Sequence, residues 1–311
     1  MSLFIDRLAA SSPLFILIFA GFAIARWARW PAGVSEGLTR VVFNLALPAM
    51  LFFTLSDFSR LPAVDARLLI AFFGGIFVVF LLARVAGRLL FRLDGVSGSI
   101  FALGTIFSNN AMLGLPLARA TLGEGAIPSV ALVLAFNSLT LWTLVMVSIE
   151  WAQHGELSAR GFAKTARGVL TNPLILAIMA GALFGLTGLP LPHLVSEPVS
   201  MLAQAATPLS LLVLGMGLAE FRIREGLVQS LTVCFLKLLV LPLVVWGIAL
   251  LLHLPPMETR VVVLLSSMAM GVNVYLMSRQ FRAFEGPTAA AMVLSTVFSA
   301  AVTPLVLTLI S

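Results

Sequence analysis

From Gly286 to Ser311 the chain carries no charged side chain, and it carries none from Leu68 to Ala83 or from Leu238 to Leu252. Runs of this kind are long enough to cross a bilayer, and in hydrocarbon only a helix or a closed barrel satisfies its own backbone. The short alternating strands of a barrel would interrupt such runs with polar residues every second position. With 60% hydrophobic residues, 10% charged residues and a mean hydropathy of +1.09, the chain is far more apolar than the roughly 45–50% of a soluble domain. The reading is an all-α polytopic membrane protein.

The apolar runs, separated by short charged patches, place ten transmembrane helices at about 11–28, 38–56, 68–90, 98–120, 127–149, 168–189, 198–219, 227–252, 259–280 and 288–310. The connections are short, the longest running from Glu150 to Arg167, and leave no room for a soluble domain. The first run is followed by further spans, which favours a retained helix over a cleaved signal peptide. Connections after spans 1, 3, 5, 7 and 9 carry thirteen lysines and arginines, among them Arg26, Arg29, Arg84, Arg88, Lys164 and Arg282. The opposite side carries five: Arg7, Arg60, Arg67, Arg119 and Arg260. The positive-inside rule then puts both termini outside the cytoplasmic membrane. The net charge of +6 reports these loop residues and gives no footprint for nucleic acid.

A shift of 160 residues lays "SPLFILIFAGF" (12–22) on "NPLILAIMAGA" (172–182), pairing Pro13 with Pro173 and Gly21 with Gly181. It also pairs Pro48 with Pro208, two candidate helix breaks. Halves of five helices each, 1–150 and 151–311, must insert with opposite orientation. The expected architecture is a 5+5 inverted repeat, whose broken helices 4 and 9 cross near the midplane.

Span 4 contains "SNNAMLGLPLA" (108–118). Pro116 removes a backbone donor and crowds the carbonyl of Met112, while Gly114 loosens the same turn, so the helix should open between Ser108 and Pro116. An opened helix presents a half-helix N-terminus, which favours an anion, and the amides of Asn109 and Asn110 add neutral donors. Of the two, Asn109 is expected to touch substrate and Asn110 to brace the break. Asparagines of this kind also join helices to one another by hydrogen bonds. Span 9 has Ser266, Ser267, Gly271 and Asn273 at matching depth in "SSMAMGVNVYL". Matching interruptions in two halves point to a transporter site.

Lys237 is the single charge deep in a span. Placing it there costs at least about 2.5–3.5 kcal/mol, so it is a functional candidate that attracts an anion or stands in for a coupling cation. It lies about ten residues from the cytoplasmic side, ~15 Å of helix, too far for its stem to snorkel fully. Bonding to backbone carbonyls is the structural alternative. Asp57, Glu124 and Glu150 sit at span ends, where carboxylates are ordinarily solvated. Asn137, Ser138, Gln204 and Thr207 read as bridges between helices. Cys234, the one cysteine, can form no intramolecular disulfide and reads as inert filler. No HExxH, GxSxG, glycine-rich nucleotide loop or mid-span aspartate pair occurs. Nothing therefore calls for a catalytic residue, a metal or a cofactor.

"SNNAMLGLPLA" and "GVNVYLMSRQF" resemble the fourth- and ninth-helix signatures of the auxin efflux carrier family, whose bacterial members include proteins described as malonate transporters. "NLALPAMLFFTLSDF" (44–58) and "TPLSLLVLGMGL" (207–218) fit its second and seventh helices. The resemblance implies an elevator-type carrier with scaffold and transport domains drawn from both repeats. It places the family's substrate-contacting asparagines on Asn109 and Asn273. Two departures stand out: Ala269 occupies the place of the usual ninth-helix proline, and Ser108 that of a proline in plant members. The expected function is secondary transport of a small organic anion, such as malonate, leaving room for a coupling proton or sodium ion and for a homodimer. The alternatives are a non-transporting sensor or channel on the same scaffold and a cation-coupled symporter for larger organic acids.

Overall fold

The computed structural model describes residues 2–27, 32–57, 64–154, 171–219 and 226–310. Among these residues it is all-helical, with no strand beyond one isolated β-bridge. Arg29, Arg60, Arg160, Lys164, Arg167, Arg222 and Arg224, which entered the orientation count, lie outside the described residues, as does most of the connection after Glu150.

The helices are α1 (Ser2–Trp27), α2 (Ala32–Val41), α3 (Leu47–Leu55), α4 (Leu68–Phe91), α5 (Gly95–Ile106), α6 (Leu115–Leu122) and α7 (Ile127–His154). They continue as α8 (Pro173–Gly185), α9 (His193–Leu218), α10 (Leu227–Phe235), α11 (Leu241–Leu251), α12 (Pro256–Ser266), α13 (Val272–Phe281) and α14 (Glu285–Leu309). Among the described residues five helical stretches are long and apolar enough to span a membrane: Gly33–Leu55, Leu68–Phe91, His193–Leu218, Leu227–Leu251 and Glu285–Leu309. The expected spans 1, 4, 5, 6 and 9 are not in that set, and spans 4 and 9 are each divided into two half-helices, α5 with α6 and α12 with α13. Leu81, Leu82, Leu89, Leu243 and Leu251 are exposed. Apolar side chains on the outside of a buried core are what lipid solvates.

Three π turns occur, two within continuous helix at Val42–Ala46 and Leu236–Val240, and one at Asn110–Gly114 that opens the half-helix continuing as α6. Each ends one residue after the first leucine of a Leu-X-Leu-Pro motif: "LALP" (45–48), "LGLP" (113–116) and "LVLP" (239–242). Proline has no N–H and its ring collides with the carbonyl four residues back. An extra residue in the preceding turn relieves both problems. The residue before each proline then bonds five residues back instead of four: Leu47 to the Val42 carbonyl, Leu115 to that of Asn110, and Leu241 to that of Leu236. Pro48 therefore widens a turn without breaking the chain into separate helices. Pro208 departs further from expectation, since α9 runs through it without interruption. The two prolines paired by the 160-residue shift have different local structures.

Helix packing is closest where glycines meet backbone. A Cβ on Gly21 would lie 1.9 Å from the carbonyl oxygen of Leu212, and one on Gly215 would lie 1.8 Å from that of Ile18. Thus α1 and α9 touch backbone to backbone, as small residues permit in membranes. Likewise a Cβ on Gly181 of α8 would fall 2.9 Å from the carbonyl oxygen of Phe52 on α3. The 160-residue shift that carries Gly21 to Gly181 also carries Phe52 to Leu212. One helix contact therefore occurs twice, in matching register.

At one end of the bundle, Asp94 caps α5, accepting hydrogen bonds from the backbone N–H groups of Val96 and Ser97, each at 2.9 Å, and from Ser97 Oγ at 2.6 Å. The Ser97 bonds hold its carboxyl below the usual range. A lowered native value means the stabilisation is complete above the unfolded carboxyl range and fades as pH falls through the native one. Beside it, Arg84 Nη1 donates to the Gly95 carbonyl at 2.8 Å and to Ser99 Oγ at 3.0 Å, tying α4 to α5.

Gly215→Ala should lower the thermal unfolding midpoint in detergent, with a destabilisation of at least about 1–3 kcal/mol from overpacking. Gly217→Ala, where an added Cβ meets nothing within 4 Å, should leave it nearly unchanged; equal effects would refute the backbone-contact account.

Candidate functional site

The helical chain opens twice, and the two openings lie against each other. After Ile106, α5 gives way to extended backbone at Phe107 (φ −81°, ψ 99°), and Asn109 is also non-helical (φ −77°, ψ 61°). After α12 the chain is unwound until Gly271, which is extended (φ −77°, ψ 147°) before α13 begins. Freed backbone groups at this depth must find partners in the protein. They find them in each other: the Asn109 N–H donates to the Ala269 carbonyl at 2.9 Å, and the Gly271 N–H to the Phe107 carbonyl at 2.9 Å. Ser108 and Met270 face one another in the resulting antiparallel bridge. A shift of 162 residues converts either bond into the other.

The glycines have steric duties here. A Cβ on Gly271 would sit 3.0 Å from Cδ1 of Phe107 and 3.4 Å from the Ser108 carbonyl oxygen, so a side chain would push the strands apart. At Gly114 a Cβ would meet Leu265 Cδ2 at 2.8 Å and Asn110 Oδ1 at 3.3 Å. Gly114 therefore makes room for Leu265 of α12 and for the Asn110 amide. The break itself lies before it, at Phe107–Asn109, and Pro116 is answered by the π turn. Ala269, where a proline was the family's expectation, supplies the carbonyl that Asn109 uses. The second unwound segment thus stays open by inter-segment bonding.

Ser295 on α14 was absent from the candidates read in the sequence. Its Oγ accepts the Met270 N–H at 3.0 Å. Ser295 belongs to a line of buried hydroxyls with Thr296 and Ser299, a polar stripe within an apolar span that was the available signal.

Lys237 lies at the crossover, fully buried. Its Nζ donates to Ser108 Oγ at 2.7 Å and to the Ser266 carbonyl at 2.6 Å. Ser266 is the last residue of α12, where helix carbonyls lack intrahelical partners and can accept such a bond. The hydroxyls of Ser266 and Ser267 turn back onto the Val263 and Leu264 carbonyls, so they leave the site to the lysine. The bond to a backbone carbonyl does occur, together with one to a crossover side chain.

Asn109 and Asn110 are both buried. Neither side-chain polar atom of Asn110 has a hydrogen-bond partner among the described residues. It therefore makes none of the side-chain hydrogen bonds that bracing the break would require, and its donors and acceptor stay uncommitted. Asn273, the second residue of α13, is only partly buried. The N-termini of α13 and of the turn beginning at Asn110 both lack a side-chain cap. Two half-helix N-termini, amide donors and a lysine therefore gather around one crossover, an arrangement suited to a small anion. On α7, Asn137 Oδ1 is likewise buried and has no partner among the described residues, so among them that amide makes no bridge through its oxygen.

A cavity of about 380 Å³ opens elsewhere, lined by Asp65, Ser129, Pro255 and Glu258. There the Asp65 N–H donates to Glu258 Oε1 at 3.1 Å, and Arg67, hydrogen-bonded to Asp65, holds that aspartate's carboxyl below its ordinary range. The crossover residues do not line it. No group of three or more His, Cys, Asp or Glu that could hold a metal occurs among the described residues.

Broken helices crossing inside an apolar bundle define a membrane transport protein. Residues 8–307 match the family model described as "Membrane transport protein", the family of the auxin efflux carriers, and the chain belongs to it. It is 28% identical over 294 residues to the "Putative malonate transporter" of Rhizobium meliloti (strain 1021), covering 93% of this chain and 91% of that protein. It is also 28% identical over 239 residues to an "Uncharacterized transporter" of Methanothermobacter thermautotrophicus, 75% of each chain. The chain is accordingly a multi-pass membrane protein of a transport family.

Ser295→Ala should leave the Met270 N–H buried without a partner and cost about 1–3 kcal/mol. Thermal unfolding in detergent would register this, whereas Thr308→Ala, which loses only a bond to its own helix, should cost less.

Proposed function

We propose that the chain is a secondary carrier of a small organic anion across the cytoplasmic membrane, with a carboxylate as substrate and malonate as the first candidate. The observation that carries this reading is the crossover itself. Two half-helix N-termini without side-chain caps converge there with the Asn110 amide, unpartnered among the described residues, and the amino group of Lys237. Every one of these can donate to a carboxylate, and Asn109 and Asn273 flank the same segments. Malonate takes priority because a relative matched along nearly the whole chain bears that name.

The reading also holds ten passes in a 5+5 inverted repeat, with both termini outside. The recurring contact, Gly21 on Leu212 and Gly181 on Phe52, supports the repeat, as do the exchanged backbone bonds of the crossover. An inverted pair of halves supplies two equivalent arrangements of one structure, and motion between them gives alternating access. Elevator movement of the crossover against the α1, α3, α8 and α9 contacts is the form proposed.

Asn109→Ala and Asn273→Ala should each abolish carboxylate uptake in proteoliposomes while the protein still inserts and purifies normally. Near-normal uptake by both would sink the crossover site. A thermal-shift screen of the purified protein against small carboxylates should find a ligand that raises its apparent stability. Saturable counterflow with that ligand is the expected result for a carrier; binding without flux would indicate a sensor, and unsaturable flux a channel.

A further inference from the structure

We propose that Lys237 carries a proton for this site: it is a neutral amine when the crossover is empty and becomes an ammonium when a carboxylate binds, so that anion and proton enter together. This rests on the crossover being the anion site.

The first support is the hydrogen-bond count. An ammonium has three N–H donors and no acceptor, whereas Nζ of Lys237 has two acceptors among the described residues, Ser108 Oγ and the Ser266 carbonyl. Two acceptors match the two N–H groups of a neutral amine. A third proton would lack a partner in a fully buried position.

The second support is the absence of a counter-charge. The π turn holding Lys237 continues α10 and α11 and packs against α4, α5 and α14. Within α10 and α11 the other titratable side chain is Cys234, whose Sγ–H points to the Ala291 carbonyl. On α4 the charged groups are Arg84 and Arg88, near its C-terminal end, and Arg84 is committed to Gly95 and Ser99. Helix α5 has none, Asp94 being its cap. On α14 the one charge is Glu285, its first residue. Glu258 and Arg260 stand in the first turns of α12, about 12 Å and about 9 Å of helix from Ser266, and α13 brings Tyr275 and Arg279. Among the described residues, no carboxylate forms an ion pair with Lys237.

An unpaired buried charge costs several kcal/mol, and removing the proton avoids that cost. The arriving carboxylate supplies the missing negative charge. The amine then takes H⁺ from solution, forming an N–H bond with its own lone pair and no covalent bond to the anion; release reverses the step.

Isothermal titration of the purified full-length protein with malonate, in two buffers of different ionisation enthalpy, measures the proton directly. Between pH 7 and 9, where carboxylates remain fully ionised, the wild type should take up about one proton per anion and lose affinity about tenfold per pH unit. Lys237→Arg keeps a charge that cannot be given up, so it should bind without proton uptake and with flat pH dependence. Lys237→Gln, a neutral donor, should bind weakly and equally without uptake. A wild type that takes up no proton, or either variant with the wild-type slope, would overturn the proposal. If the wild type binds no carboxylate in the screen, the anion-site reading fails and the coupling falls with it.

Discussion

Two backbone hydrogen bonds, Asn109 to Ala269 and Gly271 to Phe107, make the centre of this molecule possible. A helix opened in hydrocarbon leaves peptide groups that cost several kcal/mol each if unpaired. Opening two helices side by side lets each segment satisfy the other. That solution brings the openings to within a peptide's reach, which is why Gly271 has no room for a side chain and why Ser108 is close enough for Lys237. The half-helix ends follow from the same event, since opening a helix creates an N-terminus and a C-terminus where none existed.

The backbone of the crossover repeats, but its side chains do not. The same 162-residue shift relates both bridging bonds, yet Lys237 meets Ser108 from one half alone, and Ser295 supports Met270 from the second half. The prolines paired by the 160-residue shift are also unequal, with Pro48 following a π turn in a Leu-X-Leu-Pro motif and Pro208, preceded by Ala-Ala-Thr, lying inside an unbroken helix. A repeated backbone suits a site that must be reached from either side, whereas chemistry such as charge compensation needs one lysine in one place. Packing shows the same division: Gly21 and Gly181 serve matching helix contacts away from the crossover.

Much of the candidate site was legible in residues that are expensive in a membrane. Asn109, Asn110, Gly271 and Lys237 stood out because polar or permissive residues in apolar runs demand a reason, and the structure gathers them at one place. The family membership followed from the motifs around them. The roles within the cluster were less legible. Gly114 looked like a loosened turn and proves to be space for a neighbouring helix, and Asn110 looked like a brace although its amide bonds to nothing described. Ser295 was missed because a serine in a span most often bonds back to its own helix, and its bond to Met270 requires knowing what lies across from it.

The sequence by itself determined that the chain is helical and membrane-embedded, and where helix would be difficult to continue. Hydropathy and the loss of a proline N–H are local properties, present in the residues whatever their neighbours. Only the tertiary structure decided which interruptions become openings, which become π turns and which are absorbed, because that depends on whether another segment offers partners for the freed peptide groups. It likewise decided what the buried lysine touches: a charge in a span announces its cost in the sequence, but its two acceptors lie 129 and 29 residues away, brought together by the crossing of the two opened helices.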